Sequence, residues 1–375
     1  MQQNVSLGAN DATGSITPAI YISSTFAHPK LGDTTGFNYT RESNPTRARL
    51  ETLVAALEEG IDALAFSSGM AAVDAVMNLF APGDHIITGN DLYGGSFRLF
   101  RNINARNGVK FTTVHTSKLE EIKAAIKPNT KAIFLETPTN PTMEISDLRA
   151  ISKIAKENNF LVIVDNTFLT PYFQKPLALG ADIVIHSGTK YLAGHNDVLA
   201  GFTVVKEQTL ADKLRLIYKT TGACLGALDA WLVIRGIKTL PLRMEQHQKN
   251  ATAIAAWLQK QPRVKYVLYP GLAEHPGYAV NKAQTSGFGG MISFAVDNAE
   301  TARQLLEGVK LIQFAESLGG TESLITYPIR QTHTDLTPEE CAEKGITDCL
   351  LRLSTGIEAT EDLIADLAQA FTAIQ

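Results

Sequence analysis

Between residues 61 and 206 short apolar runs alternate with segments of helical periodicity, and this alternation constrains the fold more than any other feature of the chain. The runs are 63–66, 85–88, 132–135, 161–164, 183–185 and 202–205, with helix-like segments at 70–80, 96–106, 118–126, 146–157 and 207–219. Runs this short and apolar suit strands buried on both faces. Strands alternating with helices build a mainly parallel sheet. The expected fold class is therefore α/β, with a doubly wound sheet. Polar clusters follow four of the runs: Ser67-Ser-Gly-Met70, Glu136-Thr-Pro-Thr-Asn140-Pro141, Asp165-Asn-Thr167 and Ser187-Gly-Thr-Lys190. Folding alone does not require polar groups at the ends of buried strands. In open α/β sheets ligands bind at the carboxyl ends of the strands, so these clusters mark one site.

The residue types suggest the chemistry. Gly69 and Met70 open a helix, whose first amides and dipole can hold a phosphate. Ser187 and Thr189 add hydroxyls beside Lys190, an amine able to form a Schiff base with an aldehyde once it is partly desolvated. A surface lysine after a strand is the alternative. Asp165 would be half-buried and in need of a partner, such as a protonated ring nitrogen; the alternative is a helix-capping aspartate. Tyr93, in Asp91-Leu-Tyr-Gly-Gly95, is placed to lie against a cofactor ring or to pack in the interior. His186 and His195 are lone histidines, expected to be structural, and no metal site is expected.

Residues 1–36 are polar and weakly periodic, which suggests an arm. Its apolar residues between 16 and 22 would find a surface if the arm crossed a neighbouring subunit. Asn44-Pro45 marks a turn, Thr46 is the expected cap of a helix over 47–59, and Tyr39 and Arg41 just before it could clamp a phosphate. Beyond residue 236 the pattern changes. A long helix over 241–261 precedes short strands at 264–268, 291–296, 313–317, 323–327 and 350–354, with helices near 299–307, 337–345 and 360–373: a smaller α+β domain. Arg352 alternates with leucines along the last strand, either solvated or set to take a substrate carboxylate. The net charge of -4 gives no footprint for nucleic acid. The three cysteines form neither a disulfide framework nor a metal-ligand spacing, no signal peptide is seen, and no apolar run could span a bilayer, so a cytoplasmic location is expected.

Taken together, the motifs closely resemble the Cys/Met-metabolism family of pyridoxal 5'-phosphate (PLP) enzymes. The resemblance rests on 39–46 (Tyr-Thr-Arg-Glu-Ser-Asn-Pro-Thr), 67–72, 91–95, 136–141, 164–167, 182–196, 316–320 (Glu-Ser-Leu-Gly-Gly) and 351–358, in the family's order. Gly188 is a small departure, where alanine is usual. The resemblance implies the type I PLP fold in three parts: an arm (1–46) contacting a neighbouring subunit, a PLP-binding domain (47–235) and a C-terminal α+β domain (236–375). It also implies a homotetramer of active dimers acting on small amino-acid substrates. Lys190 would carry the cofactor and Asp165 would pair with its ring nitrogen. Tyr93 would stack on the ring, and Gly69, Met70, Ser187 and Thr189 would hold the phosphate. Tyr39 and Arg41 would reach the phosphate of the neighbouring subunit. Arg352 would bind the substrate α-carboxylate, with Ser317 and Asn140 lining the site.

Within the family, Glu316 and Arg98 look like the pair that meets a charged distal substrate group in γ-synthases and γ-lyases. Methionine γ-lyases carry cysteine where Gly95 stands and an apolar residue at the position of Glu316. The segments 331–340, 345–352 and 357–367 look most like bacterial cystathionine γ-synthase. γ-Replacement on an O-acetyl- or O-succinylhomoserine by cysteine is therefore the expected reaction. γ-Elimination of cystathionine is the close alternative, and β-elimination a further one. A catalytically inactive PLP-binding protein is the alternative of another class, opposed by the intact Lys190, Asp165 and Arg352.

Overall fold

The computed structural model describes residues 14–334 and 336–374. Seven strands form its main sheet: β1 (Asp62–Phe66), β2 (His85–Gly89), β3 (Lys110–Val114), β4 (Thr130–Glu136), β5 (Leu161–Asp165), β6 (Ile183–Ser187) and β7 (Gly201–Val205). Their spatial order is β1-β7-β6-β5-β4-β2-β3. Pairing is parallel from β3 through to β6, and only β7 runs against its two neighbours. All six runs expected from the sequence are strands, so the doubly wound α/β fold stands.

Side chains alternate between two buried faces. Ile163, Ile183 and Ile185 pack with the helix Gly69–Met77, whereas Val162 and Val164 pack with the helix Leu148–Glu157. Each such fully buried aliphatic side chain is worth about 1.5–3 kcal/mol relative to exposure. The register sets Glu136 beside Asp165, Asp165 beside Ile185, and Ser187 beside Gly201. β4 and β5 therefore end level, with Glu136 and Asp165 side by side, while β6 continues past Ile185 to Ser187.

A second sheet has the order β10-β11-β12-β9-β8. Its strands are β8 (Val264–Leu268), β9 (Met291–Val296), β10 (Gln313–Phe314), β11 (Leu324–Thr326) and β12 (Leu350–Ser354). The helices Leu240–Leu258, Ala299–Gly308 and Thr360–Ala373 cover it around a core of Ile292, Phe294, Leu351 and Leu353.

Some details differ from expectation. Asn44, not Thr46, caps the helix Pro45–Glu58: its side chain accepts from the amides of Thr46 and Arg47. The Thr46 hydroxyl is instead spent on the arm, accepting from Tyr21 N and donating to Ala19 O. β3 was not expected, because Lys-Phe-Thr-Thr-Val is an edge strand with little apolar content and partial exposure. The helix Ala227–Ile237 was also missed, being apolar on nearly every side and so without a periodic polar face. The first thirteen residues of the expected arm lie outside the described residues. Among the described residues no helix is long and apolar enough to cross a membrane.

Candidate active site

A cavity of about 560 Å³ opens at the carboxyl ends of the main-sheet strands. The main sheet and its loops line it with Gly69, Met70, Tyr93, Arg98, Glu136, Asn140, Asp165, Ser187, Thr189 and Lys190; the C-terminal half adds Glu316, Ser317 and Arg352. Twelve of the fourteen residues singled out from the sequence therefore meet in one place. Tyr39 and Arg41 do not. Both are exposed away from the cavity, with the Arg41 guanidinium 5.6 Å from the Tyr39 ring centroid and bonded to Lys219 O.

Lys190 follows β6 in a tight turn that bonds its amide to Ser187 O, and its Nζ donates to Ser317 Oγ at 2.7 Å. Burial pushes the amine down to about 8, helped by the nearby Arg352 charge and opposed by Glu316. An amine in that range is neutral often enough at physiological pH to attack an aldehyde. Ser317, its partner, has a backbone φ of 82°, unusual for a side-chain-bearing residue.

Asp165 ends β5, half-buried at the cavity floor. The Thr167 amide and hydroxyl both donate to its Oδ1, at 3.0 and 2.6 Å. Burial raises its carboxyl, opposed by the Thr167 hydrogen bonds and then by His186. No lysine or arginine pairs with it among the described residues, so a ring N–H is a fitting partner. Glu136, its register neighbour, was not singled out from the sequence. Its carboxyl is held well above the usual range by burial first and then by Asp165 and Asp91, and its Oε2 accepts from Tyr93 N at 3.0 Å. The signal was present, since Glu136 ends an apolar run just as Asp165 does.

Ser68 caps the helix Gly69–Met77 by accepting from Ala71 N, and the first-turn amides of Gly69 and Met70 have no intrahelical partner. The helix start lies so close to β6 that a Cβ on Gly69 would fall 2.9 Å from Ser187 Cβ. Only glycine lets the amides and the Ser187 hydroxyl converge. The Thr189 hydroxyl presently exchanges hydrogen bonds with Ala200 N and O, at 3.1 and 3.3 Å. Tyr93 precedes the helix Gly94–Leu99 and is 43% exposed, its ring beside Gly95, where a Cβ would come within 2.5 Å of it. Gly188 has a local reason as well: the Phe202 ring fills the space of its missing Cβ, at 2.4 Å.

Arg352 is buried, which rules out the solvated alternative: it points from β12 away from Leu351 and Leu353, into the cavity wall. It donates to Asn140 Oδ1 (2.8 Å), Ser317 O (3.0 Å) and Thr326 Oγ1 (3.1 Å). Burial lowers its guanidinium to about 10, still charged at neutral pH. A charge this deep with only neutral hydrogen-bond partners is poised for an anion. His186 bonds Glu58 and His195 bonds the carbonyl of Ala193, and neither lines the cavity.

A desolvated lysine, a half-buried carboxylate and a helix start beside hydroxyls suit an enzyme that holds an aldehyde cofactor by its phosphate and ring nitrogen. The family model of the Cys/Met metabolism PLP-dependent enzymes matches residues 2–372. A cystathionine gamma-lyase of Bacillus subtilis is 50% identical over 361 residues, 96% of this chain and 95% of that protein. A cystathionine gamma-synthase of Haemophilus influenzae is 50% identical over 364 residues, 97% of this chain and 94% of that protein. The crystal structure of a cystathionine gamma-lyase from Lactobacillus plantarum complexed with L-serine superposes with a TM-score of 0.96 at 45% identity, covering 99% of this chain and 98% of that one. Further relatives, at 47% and 49% identity, bear the names cystathionine beta-lyase and L-methionine gamma-lyase. The chain belongs to the Cys/Met metabolism PLP-dependent enzymes, and its cofactor is pyridoxal 5'-phosphate.

Proposed function

We propose that the protein is a cystathionine γ-synthase: it replaces the acyl group of an O-acetyl- or O-succinyl-L-homoserine with the thiol of L-cysteine, giving cystathionine. The presence of Arg98 and Glu316 on the cavity wall with Arg352 and Lys190 supports γ-chemistry, and the choice of synthase over lyase rests on the resemblance of the segments 331–340, 345–352 and 357–367. Charges of both signs beyond the α-carboxylate site suit substrates with a polar or charged distal end.

Bound PLP supplies the electron sink. Asp165 would hold the proton of its ring nitrogen, Tyr93 would lie on its face, and Gly69, Met70, Ser187 and Thr189 would take its phosphate. Arg352 receives the substrate α-carboxylate through its fork, backed by Asn140 and Ser317. Lys190 Nζ would move protons one at a time, passing on the one taken from Cα before, again a free amine, it takes one from Cβ. The Cγ–oxygen bond of the ester breaks and the acyl group leaves as a carboxylate, which takes up the proton that the cysteine thiol gives up as its sulfur adds at Cγ, and protons return to Cβ and Cα. Tyr39 and Arg41, exposed here, would serve the phosphate of a neighbouring subunit. The exposed Ile16, Ile22 and Leu31 of the arm support a homotetramer built from such dimers. We further propose the division at 46 and 235 into arm, PLP-binding domain and C-terminal domain, and a cytoplasmic location.

The second reading is γ-elimination of cystathionine to cysteine, 2-oxobutanoate and ammonia, favoured by the name of the Bacillus subtilis relative. The same residues serve both, and what differs is whether a thiol or water meets the substrate. Product analysis of the PLP-loaded enzyme tests the choice. Cystathionine from the homoserine ester and cysteine, with little oxoacid from cystathionine alone, is expected. Rapid 2-oxobutanoate without net synthesis would make it a γ-lyase, and pyruvate with homocysteine a β-lyase.

A further inference from the structure

Behind the cavity floor lies a buried cluster that the proposed chemistry does not use. Glu58, the last residue of the helix Pro45–Glu58, and His186 on β6 are both fully buried. Glu58 Oε1 meets His186 Nε2 at 2.6 Å and accepts from Asn166 Nδ2 at 2.8 Å. Asn166 directly follows Asp165, and His186 directly precedes Ser187. The Thr167 hydroxyl closes the circuit, donating to Asp165 Oδ1 at 2.6 Å while accepting from Ser187 N at 2.8 Å.

We propose that Glu58 and His186 are positioning residues: out of reach of the cofactor, their pair clamps the Asp165–Thr167 turn to the Ser187 end of β6. The carboxylate for the ring nitrogen and the hydroxyl for the phosphate are thereby held in one register. The inference rests on the assignment of Asp165 and Ser187 to the cofactor.

Energetics favour a positional role over a stabilising one. A buried acid–imidazole pair gives up hydration that its mutual attraction regains only when every remaining atom is bonded. Here Glu58 Oε2 and His186 Nδ1 have no partner. An apolar pair would serve the core as well but would leave the Asn166 side chain held by Gln174 alone, whose carbonyl accepts from Asn166 Nδ2 at 2.9 Å and whose Nε2 donates to Asn166 Oδ1 at 3.0 Å. The pair also acts at a distance, since His186 opposes the upward push of burial on Asp165.

The test is the dissociation constant of PLP from the apoenzyme, measured by equilibrium dialysis, together with the rise in melting temperature that PLP produces. His186→Leu cuts the link from β6. Glu58→Gln keeps the shape without the charge and carries the test alone if His186→Leu fails to fold. We expect PLP affinity about tenfold weaker in H186L and several-fold weaker in E58Q, with a smaller PLP-induced rise in melting temperature. A purely structural pair would lower the melting of apo and loaded protein equally. Affinity within twofold of the unchanged protein, in whichever variant folds, overturns the proposal. Asp165→Asn is measured beside them. If it alone weakens binding, the assignment of Asp165 stands and the role of the pair is refuted. If it too leaves affinity unchanged, the assignment has failed and the proposal with it.

Discussion

The cavity has two unlike walls. The main-sheet wall is redundant: a helix start, two hydroxyls, a carboxylate with two hydrogen bonds from Thr167 and a half-exposed tyrosine share the work. The C-terminal wall concentrates its chemistry in Arg352, whose three hydrogen bonds also fix Asn140 and the Ser317 carbonyl. Lys190 stands between them, carried by the first wall and bonded to Ser317 on the second. Many weak contacts tolerate the loss of one, whereas a wall resting on one buried cation does not. On the proposed roles, the main sheet would retain the cofactor and the second sheet would capture the substrate.

The most severe way to break this arrangement is at the junction. Lys190→Ala should remove the visible absorbance band of the bound cofactor and lower turnover by about 10³-fold or more, because one amine serves as both attachment and base. Retention of both band and turnover would refute the lysine assignment. Next comes Arg352→Leu. We expect kcat/KM to fall by about 10²–10³-fold, the usual loss when one partner of a buried charged pair is removed. PLP affinity should stay nearly unchanged. Arg352→Lys should rescue little, since an ammonium cannot reproduce the fork. If Arg352→Leu released PLP as readily as Asp165→Asn, the separation of the walls would be wrong.

The two walls were also unequally legible in the sequence. The main-sheet wall could be read because buried parallel strands appear as short apolar runs, so a polar residue at the end of one stands out. Asp165, Ser187 and Lys190 were found this way, and Glu136 carried the same signal. The C-terminal wall could not be read so directly. Arg352 sits on a strand of alternating pattern, where an outward residue and a cavity-facing one look identical. Only the tertiary fold, laying β12 against the loop after β4, shows which it is. Ser317 was read as the end of a strand over 313–317, whereas β10 stops at Phe314 and leaves Ser317 in the loop beyond; it was placed at the site by resemblance alone. β3 and the helix Ala227–Ile237 escaped for related reasons, the first too polar for a buried strand and the second too uniformly apolar to show a face.

The junction can be probed without catalysis. Lys190 is lowered from its ordinary 10.5 to about 8, with burial as the main cause. Below that value the amine is charged in both folded and unfolded states, and the apoprotein bears the full cost of burying it. Between about 8 and 10.5 the unfolded chain binds more protons than the folded one, so stability must rise with pH across that window. Replacing Lys190 with Met should stabilise the apoprotein at pH 7 by on the order of 1–3 kcal/mol, and the advantage should fade as the pH passes about 10. Denaturant unfolding of both apoproteins at several pH values checks this. A constant difference would mean that the amine is not desolvated in the folded state.

The mildest perturbation falls within the redundant wall. A methyl on Gly95 would meet the Tyr93 ring at 2.5 Å and the Met70 sulfur at 2.9 Å. The tyrosine ring is the softer neighbour: it is half-exposed, while its backbone is held by the Glu136 bond to its amide and by the Ser96 and Phe97 amides donating to its carbonyl. Gly95→Ala should therefore displace the ring rather than unfold the helix, lowering kcat/KM by about tenfold, within the range that a small misplacement can cost. PLP should still bind, because the phosphate contacts proposed for Gly69, Met70 and Ser187 would not pass through Tyr93. The cofactor's absorbance maximum should shift as the face of the ring loses its cover. Gly95→Cys adds a larger side chain and should do more of the same. A loss of cofactor from Gly95→Ala comparable to that from Asp165→Asn would show that this wall hinges on one contact after all, like the other.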